Sequence, residues 1–302
     1  MSSIDPAKVL PARKCSIHKP ALRRSMNWLG IVPFAIFALL FLLLPTLNIV
    51  LGAFRTQQGG FTLDNITNLA QPRIATAFWV SIKLSFASAA IGCLIGFILA
   101  TAVALGGLPR WIRQSTLTFS GVASNFAGVP LSFAFIATLG RVGILTIVLR
   151  DVFGINLYGL GFNLLSFWGL VLVYLYFQIP LMILIITPAL DGLRREWREA
   201  AAILGATGFQ YWRRVALPIL WPSTLGTMAL LFANSFGAIA TAVALTGSQL
   251  SIVPIVLFNQ IRGDVLQDPQ LGYAIAFGMI VVTAVTNLIY IVMRVRSERW
   301  LK

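Results

Sequence analysis

Acidic, histidine and cysteine side chains are scarce in this 302-residue chain, which has nine Asp and Glu, one His and two Cys. Cys15 and His18 lie in a basic N-terminal stretch, and Cys93 lies in an apolar run. A disulfide is therefore not expected, and the chain offers no set of zinc ligands. A membrane-embedded enzyme needs several such groups to converge, so their scarcity argues against catalysis by this chain.

Charge of either sign is also low. Charged residues make up 11% of the chain and apolar residues 58%, with a mean hydropathy of +0.86. A soluble domain carries about 25% charged residues. The composition predicts an all-α integral membrane protein, because lipid offers the backbone no hydrogen-bonding partners and a spanning segment must satisfy its own.

Six charge-poor runs are long enough to cross a bilayer as helices, for which about 20 residues suffice. They cover residues 28–54, 77–105, 117–139, 164–190, 222–245 and 271–293. Residues 25–54 far exceed the roughly 7–15 apolar residues of a signal-peptide core, so the first run is predicted to be retained. Two shorter apolar patches, residues 142–161 and 252–261, are predicted to be short interfacial or partly buried helices on the outer face.

The basic residues are unevenly distributed between the loops. The N-terminal tail, the turn at 106–116, the segment 191–215 and the C-terminus hold seventeen of the twenty-three Lys and Arg residues. Cytoplasmic loops of membrane proteins carry such an excess. The bias predicts that both termini are cytoplasmic, with a basic tail at 1–27 and a six-helix membrane domain at 28–302. It also explains the net charge of +14 without nucleic acid.

A polar segment, residues 191–218, separates the fourth and fifth runs. Asp191 is predicted to cap a short helix over 192–204 that ends at Gly205, where a left-handed residue is wanted. Thr207 and Gln210 have the spacing of a capping box at the start of a second helix. The segment is therefore predicted to form a helical hairpin on the cytoplasmic side. From these residues alone, an amphipathic loop lying on lipid headgroups is an equal alternative.

The spacing within this hairpin resembles the EAA signature of the permease subunits of binding-protein-dependent ABC importers. The residues that carry the signature are Glu199, Ala200, Ala201, Gly205, Val215, Ala216, Leu217 and Pro218. Valine at 215 stands where isoleucine is usual. The resemblance extends over most of residues 28–301. Segments 140–151 and 232–247 look like those of permeases for polyamines, ferric iron, thiamine and oxyanions.

This resemblance implies the type I importer fold, with six membrane helices and a coupling helix between the fourth and fifth that docks on an ATPase. Glu199 and Arg198 are then expected among the residues that contact the ATPase, and Ala200 and Ala201 to allow its close approach. Gly205 would reverse the chain. Leu217 and Pro218 would connect the hairpin to the fifth helix.

The resemblance also implies partners. The chain has no glycine-rich phosphate loop that ends in Gly-Lys-Ser or Gly-Lys-Thr, so ATP and Mg²⁺ are expected on a separate ATPase and no cofactor in this chain. The expected assembly has two ATPase subunits, a second permease that is identical or related, and an extracytoplasmic solute-binding protein. It would lie in a bacterial inner membrane, with this chain as a non-catalytic subunit.

The only ionisable residue well inside a predicted span is Lys83, which is better explained by its amine reaching the outer interface. The lack of a carboxylate within the spans argues against a secondary carrier that works alone. Uncharged polar residues are the remaining candidates for the translocation pathway: Tyr176, Gln178, Asn234, Ser235 and Thr241. Hydrogen bonding between helices is the alternative role for them.

The substrate is suggested by the resemblance alone. It favours a polyamine such as spermidine or putrescine, followed by ferric iron, thiamine or an oxyanion. A stand-alone carrier is the less favoured alternative, and it would function without an ATPase.

Overall fold

The structure, a computed structural model, describes residues 31–56, 58–247, 249–262 and 269–298. The predicted basic tail, residues 1–27, lies outside the described residues, as do 28–30 at the start of the first predicted span. By contacts the chain divides into two units, residues 1–48 and 49–302.

The described part of the first unit is an apolar helix. It begins as α1, Val32–Ala38, passes through a π-helical turn, Leu39–Leu43, and enters α2, Leu44–Ala53, which continues into the second unit. None of the side chains of residues 31–48 is buried within the molecule. A helix that is apolar on all sides suits a hydrocarbon environment.

The second unit is built from helices joined by short turns. After α2 come α3, Asp64–Thr67; α4, Pro72–Leu105; α5, Arg110–Asn125; α6, Val129–Leu139; α7, Ile144–Phe153; α8, Phe167–Asp191; α9, Arg195–Ile203; α10, Gly208–Tyr211; α11, Leu217–Phe236; α12, Ile239–Thr246; α13, Val253–Arg262; and α14, Pro269–Glu298. A π-helical turn, Trp212–Ala216, joins α10 to α11 without a break.

Six helical stretches among the described residues are long and apolar enough to cross a membrane, which confirms the predicted number. They are Val32–Ala53, Pro72–Leu105, Val129–Phe153, Phe167–Asp191, Gly208–Phe236 and Pro269–Val292. The chain is thus an all-α integral membrane protein.

The centre of the second unit is the packing of α4 on α8, with α11 against both. Gly92 and Gly96 of α4 face Gln178 and Met182 of α8. A methyl group added at Gly96 would lie 2.6 Å from the Cβ atom of Met182. Small residues let membrane helices approach this closely, and van der Waals contact then stabilises the pair.

The bounds predicted for the third span were wrong, and the fifth predicted run is interrupted. Residues 117–139 do not form one helix, because the chain turns at Gly128, whose φ is +79°, and Pro130 has no backbone N–H to continue a helical ladder. The stretch of this region that is long and apolar enough to cross a membrane is Val129–Phe153, which consists of α6 and α7 with a break at residues 140–143. Residues 222–245 are interrupted at Gly237 and Ala238, between α11 and α12. Hydropathy shows neither break, because apolar residues flank both.

The two apolar patches predicted to be short helices do contain them. Residues 142–161 include α7, and residues 252–261 nearly coincide with α13. Val253 and Ile255 of α13 are buried, so this helix is partly buried as predicted. Their location on the outer face stays a prediction.

Candidate functional site

The turn of the hairpin at residues 191–218 is formed by a glycine motif at the end of α9. Gly205 has a φ of +76°, in the left-handed region that favours glycine. The Ala206 N–H donates to the carbonyl of Ala201 at 2.9 Å, and the Gly205 N–H donates to that of Ala202 at 3.0 Å. These two bonds define a Schellman motif. The predicted role of Gly205 in ending the helix is confirmed.

The second arm of the hairpin begins with the predicted capping box. The Gln210 N–H donates to Thr207 Oγ1 at 3.3 Å, and the Thr207 N–H donates to Gln210 Oε1 at 2.9 Å. The box satisfies two backbone N–H groups that would otherwise have no partner in the helix. The hydrogen bonds of the Schellman motif and of the capping box therefore fix the backbone of the turn and of the start of the second arm.

The predicted cap at Asp191 was wrong. Asp191 is the last residue of α8, and α9 begins at Arg195 with no side-chain cap. Helix α8 extends to Asp191, so three residues separate its carboxylate from the first turn of α9. Its Oδ2 atom instead lies 2.5 Å from Nη2 of Arg113, at the start of α5.

The hairpin exposes an apolar surface formed by three residues that sequence reasoning did not single out. Ile203, Leu204 and Phe209 are 86%, 87% and 74% exposed. Exposed apolar side chains grouped on a polar segment are typical of an interaction site. The available signal was their grouping around Gly205, in a segment that otherwise presents charge.

The residues of the EAA signature lie on this same hairpin. Glu199 and Arg198 are exposed, and Oε1 of Glu199 pairs with Nε of Arg195 at 3.0 Å within α9. Ala200 is exposed and Ala201 is half-buried. These positions are accessible to another protein, while their contact with an ATPase stays a prediction.

The hairpin continues directly into the membrane. From Gly208 to Phe236 the helix is unbroken and 29 residues long, or about 43 Å at 1.5 Å per residue. Leu217 and Pro218, which the signature assigns to this connection, are exposed at the start of α11. The N-terminal end of this helix therefore belongs to the hairpin, and its C-terminal end reaches the interruption at Gly237.

A cavity of about 370 Å³ lies where the two interrupted helices meet. Its lining includes Ser124, Gly128, Phe177, Asn234, Gly237 and Thr241. The Gly128 N–H donates to Thr241 Oγ1 at 2.8 Å, and Ser132 Oγ donates to the Thr241 carbonyl at 2.9 Å. These bonds join the starts of α6 and α12 across the two interruptions.

The structure brings two of the five predicted pathway residues to this cavity, Asn234 and Thr241. Tyr176 is half-buried, with its ring centroid 6.1 Å from that of Phe126 and 6.0 Å from that of Phe135. A pathway role for these residues stays a prediction.

Gln178 and Ser235 are fully buried between helices, away from the lining of the cavity. Gln178 Nε2 donates to Ser88 Oγ at 2.9 Å, and Ser235 Oγ donates to the Ser85 carbonyl at 3.4 Å. This environment fits the alternative role, in which polar side chains hold helices together. Their part in the pathway is likewise untested.

Residues 92–302 match the family model described as the binding-protein-dependent transport system inner membrane component. The chain belongs to this family. It is therefore the permease subunit of an ABC importer and a multi-pass inner membrane protein, as the resemblance at the hairpin indicated. The family is described as an inner membrane component of such transport systems.

Relatives of this permease include the spermidine/putrescine transport system permease protein PotB of Haemophilus influenzae. It is 27% identical over 270 residues, which cover 83% of this chain and 87% of the relative. The sulfate transport system permease protein CysT of Salmonella typhimurium is 24% identical, over 87% of this chain and 90% of the relative.

Solved structures of similar fold are ABC importers. A bacterial transporter for the acidic polysaccharide alginate has a TM-score of 0.70 at 18% identity, covering 93% of this chain and 97% of that chain. The methionine transporter MetNI in an inward-facing form has a TM-score of 0.54 at 14% identity, covering 74% and 95%. The fold is that of a type I importer permease.

Two side chains outside the five pathway candidates hold the interruptions in place. The Tyr174 hydroxyl donates to the Ala238 carbonyl at 2.9 Å, and Ser132 bonds to Thr241 as described. Both bonds join residues more than 60 positions apart, so no local pattern shows them. Lys83 is exposed on α4, with its amine 4.9 Å from the ring centroid of Trp79.

Proposed function

We propose that this permease forms half of the translocation pathway of an ATP-driven importer and passes the motion of separate ATPase subunits to it. The observation that carries the proposal is the unbroken helix Gly208–Phe236, which joins the exposed hairpin to the cavity between the interrupted helices. A displacement of the hairpin would move this helix, and with it one wall of the cavity.

A second permease subunit, identical or related, covers the open side of the cavity. Ala127, Asn234, Gly237 and Ala240 line the cavity, and all four are exposed. At membrane depth, irregular backbone is tolerated only where protein covers it or water fills a pathway. A second permease with water between the two subunits meets both conditions, and lipid meets neither.

The hairpin is the docking element for the ATPase. Ile203, Leu204 and Phe209 supply apolar contact, and Glu199 and Arg198 supply charge at its edge. Each of two ATPase subunits would bind the hairpin of one permease, and ATP and Mg²⁺ would be held by the ATPase. Both termini are then cytoplasmic, on the same side as the hairpin.

A solute-binding protein delivers the substrate from outside. A bacterial alginate importer of similar fold, with a TM-score of 0.67, is known in complex with a periplasmic protein that carries an alginate pentasaccharide. Such a protein would contact residues 140–162 and 247–270, the segments that contain the two apolar patches predicted to lie on the outer face.

The proposed substrate is a polyamine such as spermidine or putrescine. The likeness to a spermidine/putrescine permease supports it, and the Asn234 side-chain oxygen can accept hydrogen bonds from an ammonium group. An oxyanion is the second candidate, because the cavity lining contains no carboxylate and several relatives are sulfate permeases.

Docking is tested by purifying the permease with its ATPase and measuring their affinity in detergent or nanodiscs. Phe209→Ala should weaken binding about 5- to 100-fold, the range of one buried aromatic anchor. Glu199→Arg should in addition abolish ATP hydrolysis stimulated by the loaded binding protein. Phe41→Ala is the matched control, since Phe41 is 66% exposed in the π-helical turn of the first helix and should not affect the ATPase.

Unchanged affinity and stimulated hydrolysis in both hairpin variants would contradict the docking role. The substrate is tested separately, by calorimetric titration of the partner binding protein with spermidine, putrescine and sulfate. Binding of sulfate without either amine would replace the polyamine by an oxyanion and leave the coupling role intact.

A further inference from the structure

An ion pair connects the start of the hairpin to a second membrane helix. Nη2 of Arg113 lies 2.5 Å from Oδ2 of Asp191, and the two residues are 78 positions apart. The other ion pairs among the described residues join neighbours, Arg150 to Asp151 and Arg195 to Glu199. This pair alone, in the described part of the chain, joins two helices.

Local helix preferences explain neither charge. Arg113 lies in the first turns of α5, and Asp191 is the last residue of α8. A helix carries partial positive charge at its N-terminus and partial negative charge at its C-terminus, so each side chain is at the end that disfavours its sign. The tendency of cytoplasmic loops to be positive accounts for Arg113 but not for a carboxylate. Their pairing offsets both unfavourable placements.

The position of the pair relates it to the cavity. Helix α5 runs from Arg110 at the cytoplasmic end to Asn125, next to the first interruption, as α11 runs to the second. The hairpin is covalently continuous with α11 and α8. It reaches the cytoplasmic end of α5 through Arg113 and Asp191.

We propose that Arg113 and Asp191 are positioning residues that make α5 follow the hairpin, so that both walls of the cavity move together. This inference rests on the proposed coupling function. Elsewhere α5 packs along α8, with Ser120 and Ala123 buried, and the ring of Phe126, just after α5, lies near that of Tyr176. The ion pair fixes the end of α5 that is nearest the moving hairpin.

The pair does little for the stability of the fold. Its side chains are 36% and 43% exposed, and solvent screens such pairs strongly. Removal of one partner should therefore leave the protein folded, which allows a conformational readout. The loss of such a pair changes a two-state population by up to about fivefold.

The experiment follows each wall of the cavity separately, in the permease–ATPase complex in nanodiscs. Single cysteines replace Ala127, which follows α5, or Ala233, which lies on α11, and both positions line the cavity. Cys15 is changed to serine in every variant. The protein that retains only the buried Cys93 gives the background labelling rate. The labelling rate with a charged, membrane-impermeant maleimide is measured without nucleotide and after trapping with ATP and vanadate.

In the parent, nucleotide should change the labelling rate at both positions. Arg113→Gln and Asp191→Asn should each reduce the nucleotide response at 127 about two- to fivefold and leave that at 233 unchanged. The double variant Arg113→Asp, Asp191→Arg exchanges the two charges and should restore the response at 127. Each exchanged charge also has the sign that its helix end favours. Lys83→Gln, which removes an exposed charge on α4, should change neither response.

An unchanged response at 127 in both single variants would overturn the proposal. The proposal would also be overturned if the single variants lose the response at 127 and the charge-exchanged double variant does not regain it. That result would indicate a role of the individual side chains and not of their pairing. If neither position responds to nucleotide in the parent, the proposed coupling function fails, and the link fails with it.

Discussion

The continuous helices α4 and α8 differ from the interrupted pairs α5–α6 and α11–α12 in how they satisfy their backbone groups. Helices α4 and α8 run without a break, although α8 contains Pro180 and Pro188, so most of their backbone groups bond within the helix. They pack closely, with Gly96 against Met182. At the interruptions, side chains supply the bonds instead, as Thr241 does for Gly128 and Tyr174 for Ala238. The first arrangement leaves no space between the helices, and the second leaves a cavity.

The difference indicates a division of roles within the membrane. A closely packed helix pair resists sliding, because its side chains interlock and any shift creates overlap. A joint held by a few hydrogen bonds can exchange them for bonds to water or substrate at low cost. The packed body of the α4–α8 pair is therefore expected to be the fixed part during transport. The interruptions, and the last turn of α8 where Asp191 meets the hairpin, are the parts that change.

The strongest test of this contrast is overpacking of the fixed part. Gly96→Val should destabilise the protein by about 3 kcal/mol, since the new side chain would overlap Met182 Cβ and approach the Ile179 carbonyl. Thermal unfolding in detergent, followed by tryptophan fluorescence, measures the change. Gly121→Val on α5 is the control, because a methyl group there meets nothing within 4 Å. Equal destabilisation by both variants would mean that α4–α8 is no tighter than the rest.

A smaller effect is expected at the interruptions. Thr241→Val keeps the shape of the side chain but leaves the Gly128 N–H without its acceptor, at a cost of about 1–2 kcal/mol. Thr246→Val is the matched control on the same helix, because among the described residues the Thr246 hydroxyl bonds to the Ala242 carbonyl of its own helix. The unfolding free energy, measured by denaturant titration, should fall more in Thr241→Val than in Thr246→Val. A larger loss at Thr246 would show that the joint between α6 and α12 contributes nothing.

Local patterns in the sequence predicted those parts of the site that depend on nearby residues. Gly205 and the Thr207–Gln210 box act within a few positions of themselves, and both were predicted. The interruption at Gly128 was not, since apolar residues on both sides give a continuous hydropathy signal. Asp191 followed a local rule for caps and was wrong, because its partner is an arginine 78 positions away.

The placement of Gln178 and Ser235 shows the same limit. A polar residue in an apolar run predicts that something must bond to it, but not whether that partner is solute or another helix. The fold decides this, by turning Asn234 towards the cavity and the adjacent Ser235 into the packed core. Neighbouring residues on one helix thus face different environments.

The smallest effect is expected inside the fixed part, where a polar side chain is replaced by an apolar one of similar size. Gln178→Met removes the bond to Ser88 Oγ, and the Gln178 Oε1 atom has no partner among the described residues. Because methionine fills irregular space and leaves no amide unpaired, the unfolding free energy should change by no more than about 0.6 kcal/mol.

Ser88→Ala should cost more than Gln178→Met, since it leaves the buried amide of Gln178 without its partner. A loss of about 2 kcal/mol or more in Gln178→Met would reverse this order of effects. It would mean that the amide holds an ordered water in the core between α4 and α8. The contrast between a dry, fixed core and a hydrated joint would then not hold, because both regions would depend on exchangeable hydrogen bonds.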